Sequence, residues 1–220
     1  MKRKIVLLCL LVLPLVLYIY FSLVKHNSLF LPVITKGVSE LPVGTTLDGK
    51  PLSLDGKISI VGFFGDDINK RKEAIFNLNQ KINTKYKGFN DFQMVMLVPD
   101  GDREAVEKLQ VSLKLMGDIS NWRFLFASHE DVKRFYASFK SAEPLDSHAG
   151  SNYVFIVDKN RNLRGRKGTN KKGEKEYKDG YDTFIASELH NELTDDVKIV
   201  LREYRLELRK NLPKGVKREI

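Results

Sequence analysis

Four short apolar runs alternate with stretches of helical periodicity, and this alternation constrains the fold of the chain more than any other feature. The runs are rich in β-branched and aromatic residues and span residues 58–64, 92–98, 122–126 and 153–157. Helical spacing of apolar residues follows the first three runs and returns at residues 193–208. Because short buried strands separated by helices are typical of α/β proteins, the sequence predicts a mostly parallel central sheet flanked by helices.

Two turns predict antiparallel strands at the margins of this sheet. The dipeptide Asp48-Gly49 lies between short apolar runs, a pattern typical of a β-hairpin. The polar turn at residues 158–162 leads into residues 163–166, which we expect to return beside the fourth strand.

An uncharged stretch of 20 residues, from residue 5 to residue 24, is long enough to cross a bilayer. Lys2, Arg3 and Lys4 favour a cytoplasmic N-terminus, which puts the rest of the chain outside. A cleaved signal peptide is the alternative, but its apolar stretch is usually shorter, ~7–15 residues, and is followed by small residues. Residues 20–24 lack such a site, so we predict an uncleaved single-pass anchor in the cell membrane and an extracytoplasmic domain, periplasmic in a bacterium.

These features divide the chain into four parts. Residues 1–24 form the predicted anchor and residues 25–44 a linker with little periodicity. Residues 45–211 are long enough for one well-cored domain, and residues 212–220 form a tail.

The single cysteine, Cys9, lies inside the predicted anchor. The outer domain therefore has no cysteine with which to form an internal disulfide, a thiolate metal site or a Cys-x-x-Cys redox centre. The sequence also lacks the glycine-rich motifs that bind phosphates and the nucleophile motif of serine hydrolases.

Positive charge is concentrated in one segment of the outer domain. The net charge of the chain is +9, and residues 159–178 carry nine Lys or Arg and two Glu. This segment predicts contact with anionic lipid or an acidic partner, and the alternative is a solvated hairpin extension. Few aromatic residues interleave with the charges, so we do not expect nucleic-acid binding. The residues proposed for the contact are Arg164, Arg166, Lys167, Lys171 and Lys172.

Several stretches, taken in order, resemble the SCO/SenC family of membrane-anchored thioredoxin-fold proteins. Residues 48–54 resemble its opening hairpin, residues 60–64 its first core strand, and residues 98–103 the acidic turn after its second strand. Residues 122–125 resemble its third strand, and His148 with residues 153–160 resembles the segment that supplies its histidine ligand. The resemblance covers about residues 47–166 and implies a thioredoxin-like fold and a link to copper delivery and cytochrome c oxidase.

The chain departs from this family where the family binds copper. The family uses a Cys-x-x-x-Cys pair with a distant histidine, and the pair falls within a residue of Ile68 and Lys72 in this sequence. Neither side chain supplies the sulfur that Cu(I) prefers, and neither supports thiol–disulfide exchange. Lys72 also places a positive charge where a cation would bind. Only the histidine, His148, remains.

Other polar residues have structural explanations beside functional ones. His148 is a candidate metal ligand or partner contact, although a loop histidine hydrogen-bonded to its neighbours is the favoured explanation. Asp66 and Asp67 precede a helix, so capping is favoured over an acid–base or cation-binding role. The same holds for Asp100 and Asp102. Surface positions are expected for the remaining histidines, His26, His129 and His190.

The sequence therefore predicts a non-catalytic binding or accessory protein of oxidase assembly or copper homeostasis, with no cofactor and no tightly bound copper. Two alternatives remain: an adaptor that binds anionic lipid or an acidic partner through the basic hairpin, and a weak histidine-based metal-binding protein. A thioredoxin-fold peroxidase or reductase would need a redox cysteine on the domain, which the sequence does not contain.

Overall fold

The structure is a computed structural model that describes residues 12–14, 16, 30–99, 103–169 and 173–211, with the side chains described as far as residue 206. Among these residues, no helix is both long and apolar enough to cross a membrane. Most of the predicted anchor, residues 1–24, and the tail, residues 212–220, lie outside the described residues. Both therefore stay predictions.

The described strands form one eight-stranded sheet and one separate two-stranded ribbon. The sheet order is β1-β7-β6-β3-β4-β5-β2, and β10 also pairs with β6. The strands are β1 (Val33–Thr35), β2 (Thr45–Thr46), β3 (Ile58–Phe64), β4 (Phe92–Pro99), β5 (Trp122–Ala127), β6 (Gly150–Val157), β7 (Leu163–Arg164), β8 (Arg166–Thr169), β9 (Lys175–Lys178) and β10 (Tyr181–Asp182).

Helices connect the central strands as the apolar periodicity predicts. After a 3-10 turn, Ile68–Arg71, the first helix continues through a π-helical segment, Asn79–Asn83, and a second π-helical segment, Glu188–Leu193, precedes the last helix. The α-helices are α1 (Lys72–Leu78), α2 (Thr84–Tyr86), α3 (Arg103–Met116), α4 (His129–Ala137) and α5 (Thr194–Asn211).

The central sheet is mixed, so the prediction of a mostly parallel sheet is wrong. Of the strand pairs that the structure describes, only β3–β4 and β4–β5 are parallel. The segment between α4 and β6 returns the chain to the end of the sheet where β3 finishes, and Gly150 at the start of β6 pairs with Phe64 at the end of β3. A strand that begins beside the end of its neighbour must run antiparallel to it.

The two predicted marginal turns have different outcomes. The return strand after residues 158–162 is confirmed, because β7 pairs with β6 through Leu163 and Val157. The Asp48-Gly49 turn also forms, with Gly49 at φ +65°. No strand returns after it, because the preceding residues Thr45 and Thr46 extend the sheet by pairing with β5 instead. The predicted hairpin at this turn is therefore wrong.

Alternate residues of the central strands supply two hydrophobic cores, one on each face of the sheet. Ile60 and Phe64 of β3 face the core beneath α1, α3 and α5, together with Met94 and Met96 of β4. Val61 and Phe63 face the core beneath α4. Phe63 lies at the centre of an aromatic cluster there, with ring centroids 4.8–6.1 Å from those of Phe135, Tyr136, Phe139 and Phe155. Burial on both faces explains why these strands are continuously apolar.

The guanidinium of Arg164 joins Leu31, the turn after β6 and the last helix. The predicted linker, residues 25–44, is too long, because Leu31 is buried and β1 belongs to the sheet. Arg164 is 3% exposed and pairs with Asp158 at 3.0 Å and with Glu203 at 2.6 Å. Its Nε also donates to the carbonyl of Leu31 at 2.9 Å. This burial corrects the expectation that Arg164 contacts lipid or a partner, because its charge is matched inside the protein.

We expect Arg164→Met to destabilise the full chain by about 3–5 kcal/mol, because the substitution leaves the buried carboxylate of Asp158 without its cation. Urea unfolding at neutral pH would measure the change in the free energy of unfolding.

Lys167→Met is the matched control. This neighbouring lysine is exposed, so its loss should change stability by less than about 0.5 kcal/mol. Equal midpoints for the two variants would show that the buried ion pair does not stabilise the fold.

Candidate functional site

Three loops meet at one edge of the sheet. Residues 65–71 follow β3, residue 128 follows β5, and residues 146–149 precede β6. The carboxyl ends of β3 and β5 lie on the same edge because both strands run parallel to β4. The loop before β6 reaches that edge because β6 runs antiparallel to β3. The topology therefore brings residues distant in sequence together there.

A buried arginine ties two of these loops to each other. The guanidinium of Arg71 donates to the carbonyl of Phe64 at 3.0 Å and to the carbonyl of Ser151 at 3.1 Å. Its third bond, at 2.6 Å, goes to the carboxylate of Asp146. Arg71 is 7% exposed, so these acceptors must offset the cost of burying its charge. It also fills the space beside Gly150, where a Cβ would lie 2.6 Å from the guanidinium.

Asp146 organises the loop that Arg71 holds. One oxygen of its carboxylate accepts from the N–H groups of Gly150 at 2.7 Å and His148 at 2.9 Å. Burial opposes ionisation of this carboxyl, but the bonds from Gly150, Arg71 and His148 outweigh burial and lower the pKa of Asp146. These bonds also hold Ala149 at φ +57°, a conformation rare for a residue with a side chain.

Beside this clamp, one carboxylate lies between two imidazoles. Asp66 Oδ1 is 2.6 Å from His129 Nε2, and Asp66 Oδ2 is 3.0 Å from His148 Nδ1. Because an ionised carboxylate can only accept, the facing nitrogen of each ring carries a proton. The three side chains are 39–57% exposed, so this cluster lies on the surface of the edge.

Mutual hydrogen bonds hold the three side chains of this arrangement together. Within residues 30–99, 103–169 and 173–211, no group of three or more His, Cys, Asp or Glu side chains could hold a metal ion. Asp66 occupies the position between the imidazoles, and each imidazole directs a proton at it. In its neutral form, each ring keeps the nitrogen that faces away from Asp66 as an acceptor for another molecule.

The two positions that the resemblance assigns to cysteines have different surroundings. Ile68 is 2% exposed and belongs to the hydrophobic core. Lys72 is exposed, with its ammonium 6.0 Å from the ring centroid of Phe76. Between them in sequence lies the buried Arg71. The turn thus contains a core side chain and a buried arginine that is paired with Asp146.

The predicted roles of the two aspartates separate in the structure. Asp67 caps the turn that follows, accepting from the N–H of Asn69 at 3.2 Å, so the capping prediction is confirmed for this residue. Asp66 bonds the histidines instead. His190 is exposed in the π-helical segment Glu188–Leu193, whereas His26, Asp100 and Asp102 lie outside the described residues.

The basic residues proposed for lipid or partner contact differ in their burial and ion pairing. Arg164 is buried, as described above. Arg166 pairs with Asp196, Glu176 and Glu192, and 25% of its side chain is exposed. Lys167 is exposed on β8. Lys171 and Lys172 lie outside the described residues, so their contact stays a prediction.

Sequence reasoning missed two residues of the site, Arg71 and His129. Arg71 lies three, four and seven positions before Ala74, Ile75 and Leu78, in phase with their apolar stripe. A charge in that phase is buried and needs a partner, so the position could have been found. His129 is the first residue of α4, the helix that follows β5. Its contact with Asp66 depends on the strand order of the sheet.

Comparison with known proteins identifies the fold. No family model matches the chain, and no match was found among the curated proteins. The structure is similar to that of BsSco, a member of the Sco family of cytochrome c oxidase assembly proteins, with a TM-score of 0.54. The two share 15% sequence identity over 77% of this chain and 95% of that one. The chain has a Sco-like thioredoxin fold.

Other structures support the same assignment. A provisionally assigned protein disulfide isomerase from Bacteroides thetaiotaomicron has a TM-score of 0.52, with 15% identity over 82% of this chain and 99% of that one. A provisionally assigned electron transfer protein from Aquifex aeolicus has a TM-score of 0.51, with 13% identity over 77% and 94%. At such identities the likeness concerns the fold. The chemistry of this Sco-like chain must be argued from its own residues.

We expect Asp146→Asn to destabilise the full chain by about 1–2 kcal/mol at neutral pH, a modest amount for a charged hydrogen bond because 41% of the Asp146 side chain is exposed. The pKa of Asp146 is lowered in the folded state, so its contribution is complete above its unfolded pKa of about 3.9. The contribution disappears as the pH falls through the lower, folded value. Urea unfolding of both proteins across this range would measure the difference.

The control is Asp55→Asn, which changes an exposed aspartate that pairs with no basic side chain in the described part of the chain. Its effect should stay below about 0.5 kcal/mol. A difference between wild type and Asp146→Asn that persists unchanged at acid pH would contradict the role of the Asp146 charge.

Proposed function

We propose that this Sco-like protein is anchored in a membrane and acts outside the cytoplasm as a non-catalytic accessory protein in cytochrome c oxidase assembly or copper homeostasis. One observation carries the proposal. The turn that would hold a cysteine pair contains the buried Arg71, which pairs with Asp146, and the only cysteine of the chain is Cys9.

The chemistry of this turn favours binding over redox activity. Thiol–disulfide exchange begins with attack by a thiolate, and residues 65–72 have none. Tight Cu(I) binding prefers soft sulfur ligands, which are missing there as well. The buried guanidinium of Arg71 also puts a positive charge in the turn. The turn is therefore organised as a fixed surface and lacks the groups for redox turnover.

The exposed cluster of Asp66, His129 and His148 supplies the contact surface of the proposed role. Asp66 fixes both rings, so little side-chain freedom is lost when another molecule binds. The loop that carries His148 is held by Asp146 and Arg71. A partner that forms hydrogen bonds with the outward ring nitrogens would fit this surface.

The link to oxidase assembly rests on two further supports. BsSco, whose fold this chain shares, belongs to a family of oxidase assembly proteins. The sequence also predicts the anchor, residues 1–24, that would place the domain at the membrane where an oxidase is assembled.

A deletion strain of the source organism tests this function. We expect its membranes to lose assembled cytochrome c oxidase, measured from the haem absorbance and the oxidase activity. The Cys9→Ser chain should restore assembly fully, because no thiol takes part. Asp66→Ala should restore it poorly, since the two histidines lose their common partner, whereas Asp55→Ala on an exposed turn should restore it as wild type does.

Three results would contradict this proposal. Normal oxidase in the deletion strain would remove the oxidase role. Failure of Cys9→Ser at normal protein levels would show that a thiol is required. Equal rescue by Asp66→Ala and Asp55→Ala would show that the cluster does not contribute to the contact.

A second candidate, weak Cu(II) binding, is favoured by the meeting of His129 and His148 around Asp66. A cation would have to replace the hydrogen bonds of Asp66, so binding should be weak. We expect the full-length Cys9→Ser chain to take up no Cu(I) against a sulfur competitor. Any Cu(II) binding should be lost in both His129→Ala and His148→Ala, as isothermal titration would show. Tight binding that survives either substitution would place the copper site elsewhere.

A further inference from the structure

The two-stranded ribbon formed by β8 and β9 has two faces with different surroundings. Opposite residues in the ribbon are Arg166 and Lys178, Lys167 and Tyr177, Gly168 and Glu176, and Thr169 and Lys175. Side chains of directly opposite residues share a face, and successive pairs alternate between faces. Arg166, Lys178 and Glu176 therefore lie on one side, which we call the inner face. Lys167, Thr169, Lys175 and Tyr177 lie on the other, the outer face.

The cations of the inner face are already matched by carboxylates of the protein. Arg166 Nε lies 2.7 Å from Asp196, and Arg166 Nη1 lies 3.2 Å from Glu176. Lys178 lies 3.0 Å from Glu188 and 2.6 Å from Glu192. With two cations facing four carboxylates, this face has no positive charge left for an external anion.

The outer face combines free cations with an exposed aromatic ring. Lys167, Thr169 and Lys175 are exposed, and Tyr177 is 56% exposed. Neither Lys167 nor Lys175 forms an ion pair with any residue that the structure describes. Tyr177 lies directly opposite Lys167 and two positions from Lys175. A tyrosine between lysines suits the boundary between headgroups and water, where the ring is half solvated and the ammonium groups meet phosphates.

The root of the ribbon is bonded to the first described residues of the domain. Gly165, just before β8, donates its N–H to the carbonyl of Pro32 at 3.0 Å. Arg164 donates to the carbonyl of Leu31 and lies 4.8 Å from the ring centroid of Phe30. The predicted anchor ends at residue 24, and six residues span at most about 20 Å. A four-residue strand adds about 13 Å of reach, so the ribbon can meet the bilayer surface.

We propose that the outer face of the ribbon, through Lys167, Lys175 and Tyr177, binds anionic phospholipid headgroups of the membrane that anchors the chain. The proposal rests on the membrane anchor of the proposed function. Binding would hold the domain in one orientation against the membrane, and added salt would weaken it, because the contact depends on exposed charges. Each lysine is expected to raise the ratio of lipid-bound to free ribbon about fivefold.

The test uses the full chain with Cys9→Ser and Thr169→Cys, labelled at residue 169 with an environment-sensitive fluorophore. The chain is reconstituted into vesicles of phosphatidylcholine alone or with phosphatidylglycerol. We expect the emission to shift to the blue only with phosphatidylglycerol, and high salt to reverse the shift. Lys167→Gln with Lys175→Gln should lower the ratio of bound to free ribbon roughly 30-fold. The matched control, Lys114→Gln with Lys133→Gln, removes two exposed lysines from α3 and α4 and should keep the shift.

The outcomes separate the failure of this proposal from failure of the anchor. A chain that washes off both kinds of vesicle at high salt has no membrane anchor. A chain that stays with both and emits identically in both is anchored, and its ribbon does not bind anionic lipid. Equal loss of the shift in the two double variants would show a general effect of net charge. If poly-glutamate shifts the emission in phosphatidylcholine vesicles and phosphatidylglycerol does not, the face recognises an acidic protein and the proposal is wrong.

Discussion

The buried charge of Arg71 is the constraint on which the rest of the site depends. An arginine does not lose its charge in a protein, so a buried guanidinium must find acceptors in the fold. Here the acceptors are the carbonyls of Phe64 and Ser151 and the carboxylate of Asp146. They come from the end of β3, the start of β6 and the loop before β6. Asp146 in turn fixes the loop that brings His148 to Asp66. The acceptors that stabilise the buried charge of Arg71 thus also set the position of His148 beside Asp66.

The sequence was sufficient for most of the fold because burial on both faces of the sheet leaves a strong pattern. The continuous apolar runs became β3, β4, β5 and β6, and the apolar stripes became the buried faces of the helices. The direction of each strand could not be predicted in the same way. The apolar pattern of a fully buried strand is the same in either direction, so β6 could not be oriented from its own residues. Gly150 pairs with Phe64 because the loop before β6 ends beside the carboxyl end of β3.

The same limit explains which site residues could be predicted. His148 was found through a resemblance, and Arg71 could have been found through its phase in the apolar stripe. His129 could not, because a histidine at the start of a helix is ordinary until strand order places it beside Asp66. In the basic segment, charge counting located the ribbon correctly but could not distinguish Arg164 and Arg166, which neutralise internal acids, from Lys167, which faces solvent.

The lack of thiols in this domain determines how the domain would respond to an oxidant. BsSco is described as having a disulfide switch, a covalent change that joins redox state to structure. Between residues 30 and 206, the sulfur atoms of this chain belong to methionines alone. Met94 and Met96 are fully buried in the sheet, whereas Met116 is 52% exposed at the end of α3. Among the methionines of residues 30–206, peroxide would therefore oxidise the exposed thioether of Met116, and the buried core would keep its packing.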